Sequence, residues 1–306
     1  MSTSTPLVSI GMPIYNEERY LPAALDSLLA QDFADFELII SDNASEDATG
    51  KICLEHASRD RRIRYHRNET NLGSVENFNR AFRLSRGRYF MWASGHDLRS
   101  PCLISKSVEA LEREPSAVLC YPRARVIYED GGLGATSESY VDTRGLGSVI
   151  RFNIVLWNLV SYNAIYGLIR AEALRTCRPA RIVYGPDVVL LAELAIRGPF
   201  IYLPELLFYA RDKWSNRHGL SREDIMQQMF KMMTGSEAAA PPSLPFVDFS
   251  HELVLGALHS PAPLRMKPAL VASAVVSSSL SWYRNLPSFL RRPLRAIVRN
   301  RLRVSE

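Results

Sequence analysis

The sequence predicts an α/β fold: an open, mostly parallel sheet flanked by helices, with a helical C-terminal extension. Strand-like and helix-like segments alternate through the first hundred residues, the pattern of a parallel sheet with crossover helices. Two strand-like runs, 7–12 and 36–40, end in polar clusters, Pro13-Ile14-Tyr15-Asn16-Glu17 and Ser41-Asp42-Asn43-Ala44-Ser45-Glu46-Asp47. Beyond residue 216 strand signals cease and a helical reading takes over. In an open parallel sheet, ligands bind outside the carboxyl ends of the strands. The two polar clusters are therefore expected to converge on one site.

Each element has its own signal. Residues 7–12 are an apolar strand. Residues 18–30 place Leu21, Ala24, Leu25, Leu28 and Leu29 at helical spacing. After the strand at 36–40, a helix over 47–57 starts near Asp47, where a negative charge suits the dipole. A short strand at 63–66, a helix at 75–84 and a strand at 89–93 follow, the last ending in Ser94-Gly95-His96-Asp97. Pro101 opens a helix running to Leu111. Residues 118–127 are a strand. Residues 129–147, rich in Gly, Ser and Thr, predict a mobile loop of the kind that forms active-site lids. A helix at 150–159, a strand at 164–169, a helix at 188–196 and a strand at 201–209 complete this unit. Residues 236–245 resemble a linker. The division expected is 1–100 for one half of the main domain, 101–215 for its second half, and 216–306 for a helical region.

The bulk properties narrow the function classes. The 306 residues are 47% hydrophobic and 23% charged, as in ordinary globular proteins. The four cysteines, Cys53, Cys102, Cys120 and Cys177, form no CxxC pair, which fits a reducing compartment. The first residues lack a basic flank and an apolar run, so no signal peptide is expected. No segment reaches the ~20 apolar residues of a spanning helix. From Arg284 onward, seven arginines face Glu306 alone, so the tail carries +6 of the net +5 and the rest of the chain carries −1. The main body is thus not expected to bind nucleic acid. A glycine fingerprint after the first strand and a GxxxxGK[ST] loop are both absent, which excludes a nicotinamide dehydrogenase and a P-loop enzyme.

Each polar cluster has two readings. Tyr15, Asn16 and Glu17 after Pro13 suit a nucleobase held by stacking and hydrogen bonds, or a helix start with Asn16 as N-cap. Asp42 suits ribose hydroxyls or a base N–H, or a turn. Asn71-Leu72-Gly73 suits a phosphate at a helix N-terminus, or a turn, with Gly73 giving positive φ or close backbone approach. Asp97 suits a divalent cation at a diphosphate, or a helix cap. Arg211 suits the diphosphate, or a surface charge at a strand end.

Taken together, these stretches resemble the family 2 glycosyltransferases, which bind nucleotide sugars on a GT-A fold. The resemblance spans Pro6 to Arg211. It rests on Val8–Glu17, Ser41–Asp47, Asn71-Leu72-Gly73, Arg86-Gly87-Arg88-Tyr89, Ser94–Asp97, Asn163–Arg170 and Gly185-Pro186-Asp187. It implies a nucleoside pocket lined by Pro13, Tyr15 and Glu17, Asp42 on the base or ribose, and Asn71 near the nucleotide. It implies Asp97 as the carboxylate of the metal motif, with Mg²⁺ or Mn²⁺ as the expected divalent cofactor. It implies Asp187 as general base, although Gly185-Pro186-Asp187 also reads as a plain helix start. The chain departs from the family where two or three acids are usual: Asp97 is the single carboxylate of Ser94–Asp97. His96 then suits a contact to the sugar or the loop. It is a poor Mg²⁺ ligand but an acceptable Mn²⁺ one.

The activity implied is inverting transfer of a sugar, UDP-linked by family habit, from a nucleotide diphosphate to an acceptor hydroxyl in polysaccharide or envelope glycan synthesis. The alternative is a non-catalytic nucleotide-sugar-binding or scaffold protein with a degenerate metal motif. The partners expected are the donor, a glycan or lipid-linked acceptor, and an anionic membrane surface. Over 284–306, Leu286, Phe289, Leu290, Leu294, Ile297, Val298 and Leu302 recur between arginines, as in a helix that lies on such a surface or packs on the body. The expected location is cytoplasmic, peripheral at the inner face of the membrane.

Overall fold

Side-chain alternation along the strands sets the layers. On β1 (Val8–Ile14), Val8, Ile10, Met12 and Ile14 are buried together. They pack with Leu38 and Ile40 of β2 (Phe36–Asp42), Met91 of β4 (Tyr89–Trp92), and the apolar stripes of α1 (Leu21–Leu29) and α4 (Leu103–Arg113). The opposite face carries Phe90 and Trp92. It packs on α5 (Ser148–Asn158), α7 (Pro186–Arg197), α9 (Pro245–His259) and α10 (Lys267–Asn285). The sheet therefore has a hydrophobic core on each side, the arrangement parallel strands require. The computed structural model describes residues 5–137, 141–158, 162–212, 220–242 and 245–285.

The remaining strands are β3 (Ile63–Arg67), β5 (Leu98–Arg99), β6 (Leu119–Ile127), β7 (Leu133–Thr136), β8 (Leu168–Arg170) and β9 (Phe200–Arg211). Their order is β3-β2-β1-β4-β8-β6-β9-β5, with β7 on β6. The pairings make β1, β2, β3, β4, β6 and β9 run one way, with β5, β7 and β8 against them. This is the open, mostly parallel sheet expected. The first three crossovers are α1, α2 (Thr49–Arg59) and α3 (Ser74–Arg83). Gly11 is required where α3 crosses: a Cβ there would lie 2.7 Å from the Phe90 ring and 3.1 Å from Ala81.

Several expectations change. The first helix begins at Leu21 rather than Glu18, because the N–H groups of Tyr20 and Leu21 both bond to the Glu17 carbonyl in a preceding turn. The stretch 129–147 is not simply a loop. Asp130-Gly131-Gly132 closes a hairpin, with Gly131 at φ 86°, and β7 pairs with β6. Its far end is pinned, since Val141 N–H bonds to the Tyr121 hydroxyl and Thr143 Oγ1 accepts from Phe200 N–H. Few apolar residues mark β7, so its period was invisible. The strand expected at 164–169 opens as a 3₁₀ turn, Tyr162–Tyr166, and only Leu168–Arg170 is extended. Gly167 N–H turns back to the Ala164 carbonyl there, and the short helix α6 (Ala171–Arg175) follows β8 directly.

The C-terminal helices continue the main core. Phe249, Leu253 and Ala257 of α9, with Leu270 and Ala274 of α10, join the cluster built on α5 and α7. Helix α8 (Arg222–Thr234) starts on a capping box at Ser221 and Asp224 and sets Phe230 and Met233 against Val75 of α3. Among the described residues no helix is long and apolar enough to cross a membrane. The arginine-rich stretch lies, from 286 on, outside the described residues.

One buried charge locks the edge opposite the loop clusters. Glu37 accepts bonds from Ser9 Oγ (2.7 Å), Arg64 (2.7 Å) and Arg86 (2.8 Å). Burial pushes its carboxyl up, but the bonds from Arg86, Ser9 and Arg64 outweigh that and hold it below the usual range. A lowered carboxylate pKa gives stability that is present above the unfolded pKa and is lost as pH falls through the folded one. Glu37→Ala is expected to lower stability by about 3 kcal/mol at pH 7. The difference from wild type should shrink in acid, as chemical denaturation at pH 7 and pH 3 would measure.

Candidate active site

The loops at the carboxyl ends of the strands are stitched into one rim by side-chain to backbone bonds. Asn16 has a left-handed backbone (φ 52°), which Asn tolerates better than most residues. Its N–H donates to Ser45 Oγ (3.0 Å), and its Oδ1 accepts from Glu46 N–H (2.9 Å). Glu17 N–H donates to Thr49 Oγ1 (2.8 Å). Asn16 is thus a tie between the loops after β1 and β2. Tyr20, not Asn16, precedes the first helical residue. Tyr15 stands 42% exposed at the rim, and Pro13 lies beside Ser41 in register.

The rim extends on both sides. Asn43 Nδ2 donates to Asn71 Oδ1 (2.7 Å), joining the loops after β2 and β3. Asp42 is fully buried. Its Oδ1 accepts from Ser45 N–H (2.9 Å), and its Oδ2 accepts from the Tyr65 hydroxyl (2.6 Å) and Arg67 (2.9 Å). On the other side, His96 Nδ1 lies 3.0 Å from Glu17 Oε1, joining the loops after β1 and β4. Gly95 fits closely there: a Cβ would sit 2.9 Å from Ile14 and 3.1 Å from Glu17.

Asp97 is 3% exposed. Its Oδ2 accepts from Ser94 Oγ and its Oδ1 from Arg211 N–H (2.7 Å). Arg211 closes the rim: Nε donates to the His96 carbonyl (3.0 Å), Nη1 donates to the Tyr128 carbonyl (3.1 Å), and the guanidinium stacks on Tyr20 at 4.2 Å. It is a structural clasp rather than a loose surface charge.

Asp187 stands in the first turn of α7, after Gly185 at φ 66° and Pro186. Burial pushes its carboxyl above the usual range, and bonds from the Val188 and Asp187 N–H groups offset this only partly. Tyr166 links it to the rim. Burial first, then the negative charges of Asp97 and Asp187, push that phenol up, with Arg99 opposing and Glu17 adding. One hydroxyl thus lies within electrostatic reach of Glu17, Asp97, Asp187 and Arg99.

The structure therefore brings together Tyr15, Asn16, Glu17, Asp42, Asn71, His96, Asp97 and Arg211 on one edge, with Pro13 beside them. Asp187, at the start of α7, is related to that edge by the charge it exerts on Tyr166. The freedom of Gly73 (φ 79°) is used up by the protein: a Cβ would lie 2.2 Å from the Met233 carbonyl at the end of α8. Sequence reasoning missed Tyr166 and Arg99. Tyr166 lay in an expected strand. Arg99, in Leu98-Arg99-Ser100-Pro101, had no local signal to separate it from a surface charge.

The protein's own donors do not fit a resident divalent cation. Among the described residues no three His, Cys, Asp or Glu side chains form a metal-binding group. Both Asp97 oxygens already accept hydrogen bonds, His96 turns Nδ1 toward Glu17, and its Nε2 is 3.9 Å from Asp97 Oδ1. Hard cations take about six oxygen ligands.

The chain has relatives among known proteins. The model of glycosyl transferase family 2 matches residues 9–177, more than half of the 306. An uncharacterized protein of Mycobacterium tuberculosis is 40% identical over 220 residues, 70% of this chain and 59% of that protein. The chain thus spans about three fifths of that curated relative's length. An uncharacterized glycosyltransferase of Methanocaldococcus jannaschii is 32% identical over 130 residues, 42% of this chain and 45% of that one. Among solved structures, TarS 1–349 of S. aureus in complex with UDP-GlcNAc superposes with a TM-score of 0.63 at 17% identity, over 92% of this chain and 76% of that one. The mannosyltransferase PcManGT of Pyrobaculum calidifontis, with GDP-Man and Mn²⁺, gives 0.52 at 16% identity, over 97% and 81%. These two likenesses speak to the fold.

Proposed function

The chain belongs to glycosyl transferase family 2, and from that premise we propose that it moves a sugar from a nucleotide diphosphate, UDP-linked, to an acceptor hydroxyl with inversion. The observation that carries this reading is the single rim of loops that holds Tyr15, Asp42, Asn71 and Asp97 together, and the raised carboxyl of Asp187, whose charge Tyr166 feels together with that of Asp97, supports it. Inversion needs in-line attack, with one base on the acceptor side. Asp187 is that base: its raised pKa makes it a better proton acceptor than an ordinary aspartate. Tyr15 stacks on the nucleobase. Asp42, sealed under the rim by its bonds to Ser45, Tyr65 and Arg67, holds the loop after β2 that faces the ribose, in place of the direct contact expected of it. His96, oriented by Glu17, presents Nε2 to the sugar.

The UDP complex of TarS supports uridine as the base, and the GDP-Man complex of PcManGT makes guanosine the comparison to run against it. The acceptor in this reading is a glycan or lipid-linked hydroxyl, brought to an anionic membrane by the arginine-rich stretch 284–306. A thermal-shift panel of UDP-, GDP-, TDP- and CMP-sugars tests the donor. UDP-sugars are expected to raise Tm, by about 2.7 kcal/mol of stabilisation at a hundredfold excess over Kd. No shift with any donor would overturn the reading.

A further inference from the structure

Arg99 is unlike the other charged residues at this site. It is 4% exposed, and its Nε, Nη1 and Nη2 are all buried without a hydrogen-bond partner. A buried charge with no partner is strongly unfavourable, and such groups call for an explanation in function. It stands at the end of the two-residue strand β5, two positions after Asp97. Its nearest compensation is the face of Phe208, 5.2 Å from the guanidinium carbon, and Phe208 itself packs on Tyr166. Burial pushes its guanidinium down, and the carboxylate of Asp97 opposes that.

We propose that Arg99 is the fixed cation of this site: a positioning residue whose charge balances Asp97 and draws the diphosphate of the donor, in the role that the missing acidic residues would otherwise give to a bound metal ion. The inference rests on the nucleotide-sugar reading above and deepens it. Its carriers are the thin donor set around Asp97 and the unpartnered guanidinium beside it. A carboxylate balanced by an adjacent guanidinium attracts a divalent ion less. The same guanidinium attracts a diphosphate through a low-dielectric interior without touching it.

The two effects have opposite signs, which separates charge from mere structure. Calorimetry on the full chain would measure UDP and uridine in EDTA, and Mn²⁺ without nucleotide, with GDP and guanosine run in parallel. Wild type is expected to bind UDP without metal. Arg99→Met is expected to weaken UDP about tenfold in EDTA, to leave uridine unchanged, and to bind Mn²⁺ several-fold more tightly. Arg99→Lys is expected to restore most of both. Arg99→Met should keep its Tm, because it replaces an unsatisfied charge with an apolar chain of similar length. Metal-free UDP affinity unchanged in Arg99→Met overturns the proposal. So does loss of UDP and Mn²⁺ affinity together, the mark of a structural role, and so does wild-type UDP binding only when Mn²⁺ is present. If wild type takes none of the four nucleotides and nucleosides, the nucleotide reading itself fails. If uridine binds all three proteins alike and only the diphosphate contrast is missing, Arg99 alone is refuted.

Discussion

Asp187→Asn is expected to abolish sugar transfer while leaving donor binding intact and raising the melting temperature. Loss of a general base typically lowers kcat by ~10²–10⁴-fold, and the amide cannot take the acceptor proton. The carboxyl stands in the first turn of α7, a place that suits a negative charge. Burial nevertheless wins and pushes its pKa up. The sign of the stability effect follows. A group whose folded pKa is raised contributes stability below its unfolded pKa and loses it as pH rises through the folded one. At neutral pH the ionised carboxylate is therefore a net burden on the fold, and an uncharged isostere removes it. Wild-type kcat should fall as pH drops through a value above the ordinary aspartate range. Single-turnover assays, a binding isotherm and a melt on the same variant check the three parts. Normal turnover in Asp187→Asn would remove this residue from the mechanism. Lost activity with a lowered Tm would assign it to structure.

Arg178→Met is expected to lower stability by about 3 kcal/mol, a large share of the 5–15 kcal/mol that holds a typical domain. Arg178 donates from Nε to Glu193 Oε1 (2.9 Å) and from Nη1 to Glu252 Oε2 (2.7 Å), and both carboxylates are buried. Its removal leaves Glu193 with Arg197 at 3.7 Å and Glu252 with Arg181 at 3.4 Å. Those longer pairs keep the loss at the lower end of the 3–5 kcal/mol usual for breaking a buried pair. Arg178→Lys keeps the charge but not the forked geometry, and should fall between. Denaturant melts of the three proteins measure the series. The bridge joins α7, which carries Asp187, to α9, so the looser variant should also lose kcat at temperatures where it remains folded. A Met variant as stable as wild type would show that the helices are held by apolar packing alone.

Local sequence carried the fold class because its signals are local. Apolar runs of strand length, helical spacing between them and polar clusters at their ends depend on residues within a few positions of one another. Those signals located β1 to β4, α1 to α4 and the loops holding Tyr15, Asp42, Asn71 and Asp97. They failed where a partner distant in the chain decides the outcome. Strand β7 forms because β6 offers it an edge, not because Leu133-Gly134-Ala135-Thr136 alternates. Asn16 bonds to the loop after β2 rather than capping its own helix. Gly73 is needed by the end of α8, some 160 residues further along the chain. Arg99 is the sharpest case. Nothing beside it in the sequence separates a solvated arginine from one sealed against Phe208, because burial is fixed only when β5 docks on β9. Chain order determined which chemical groups reach the sheet edge. Packing alone decided which charges there lost their water, and that loss is what raises the Asp187 carboxyl and leaves the Arg99 guanidinium without a hydrogen-bond partner.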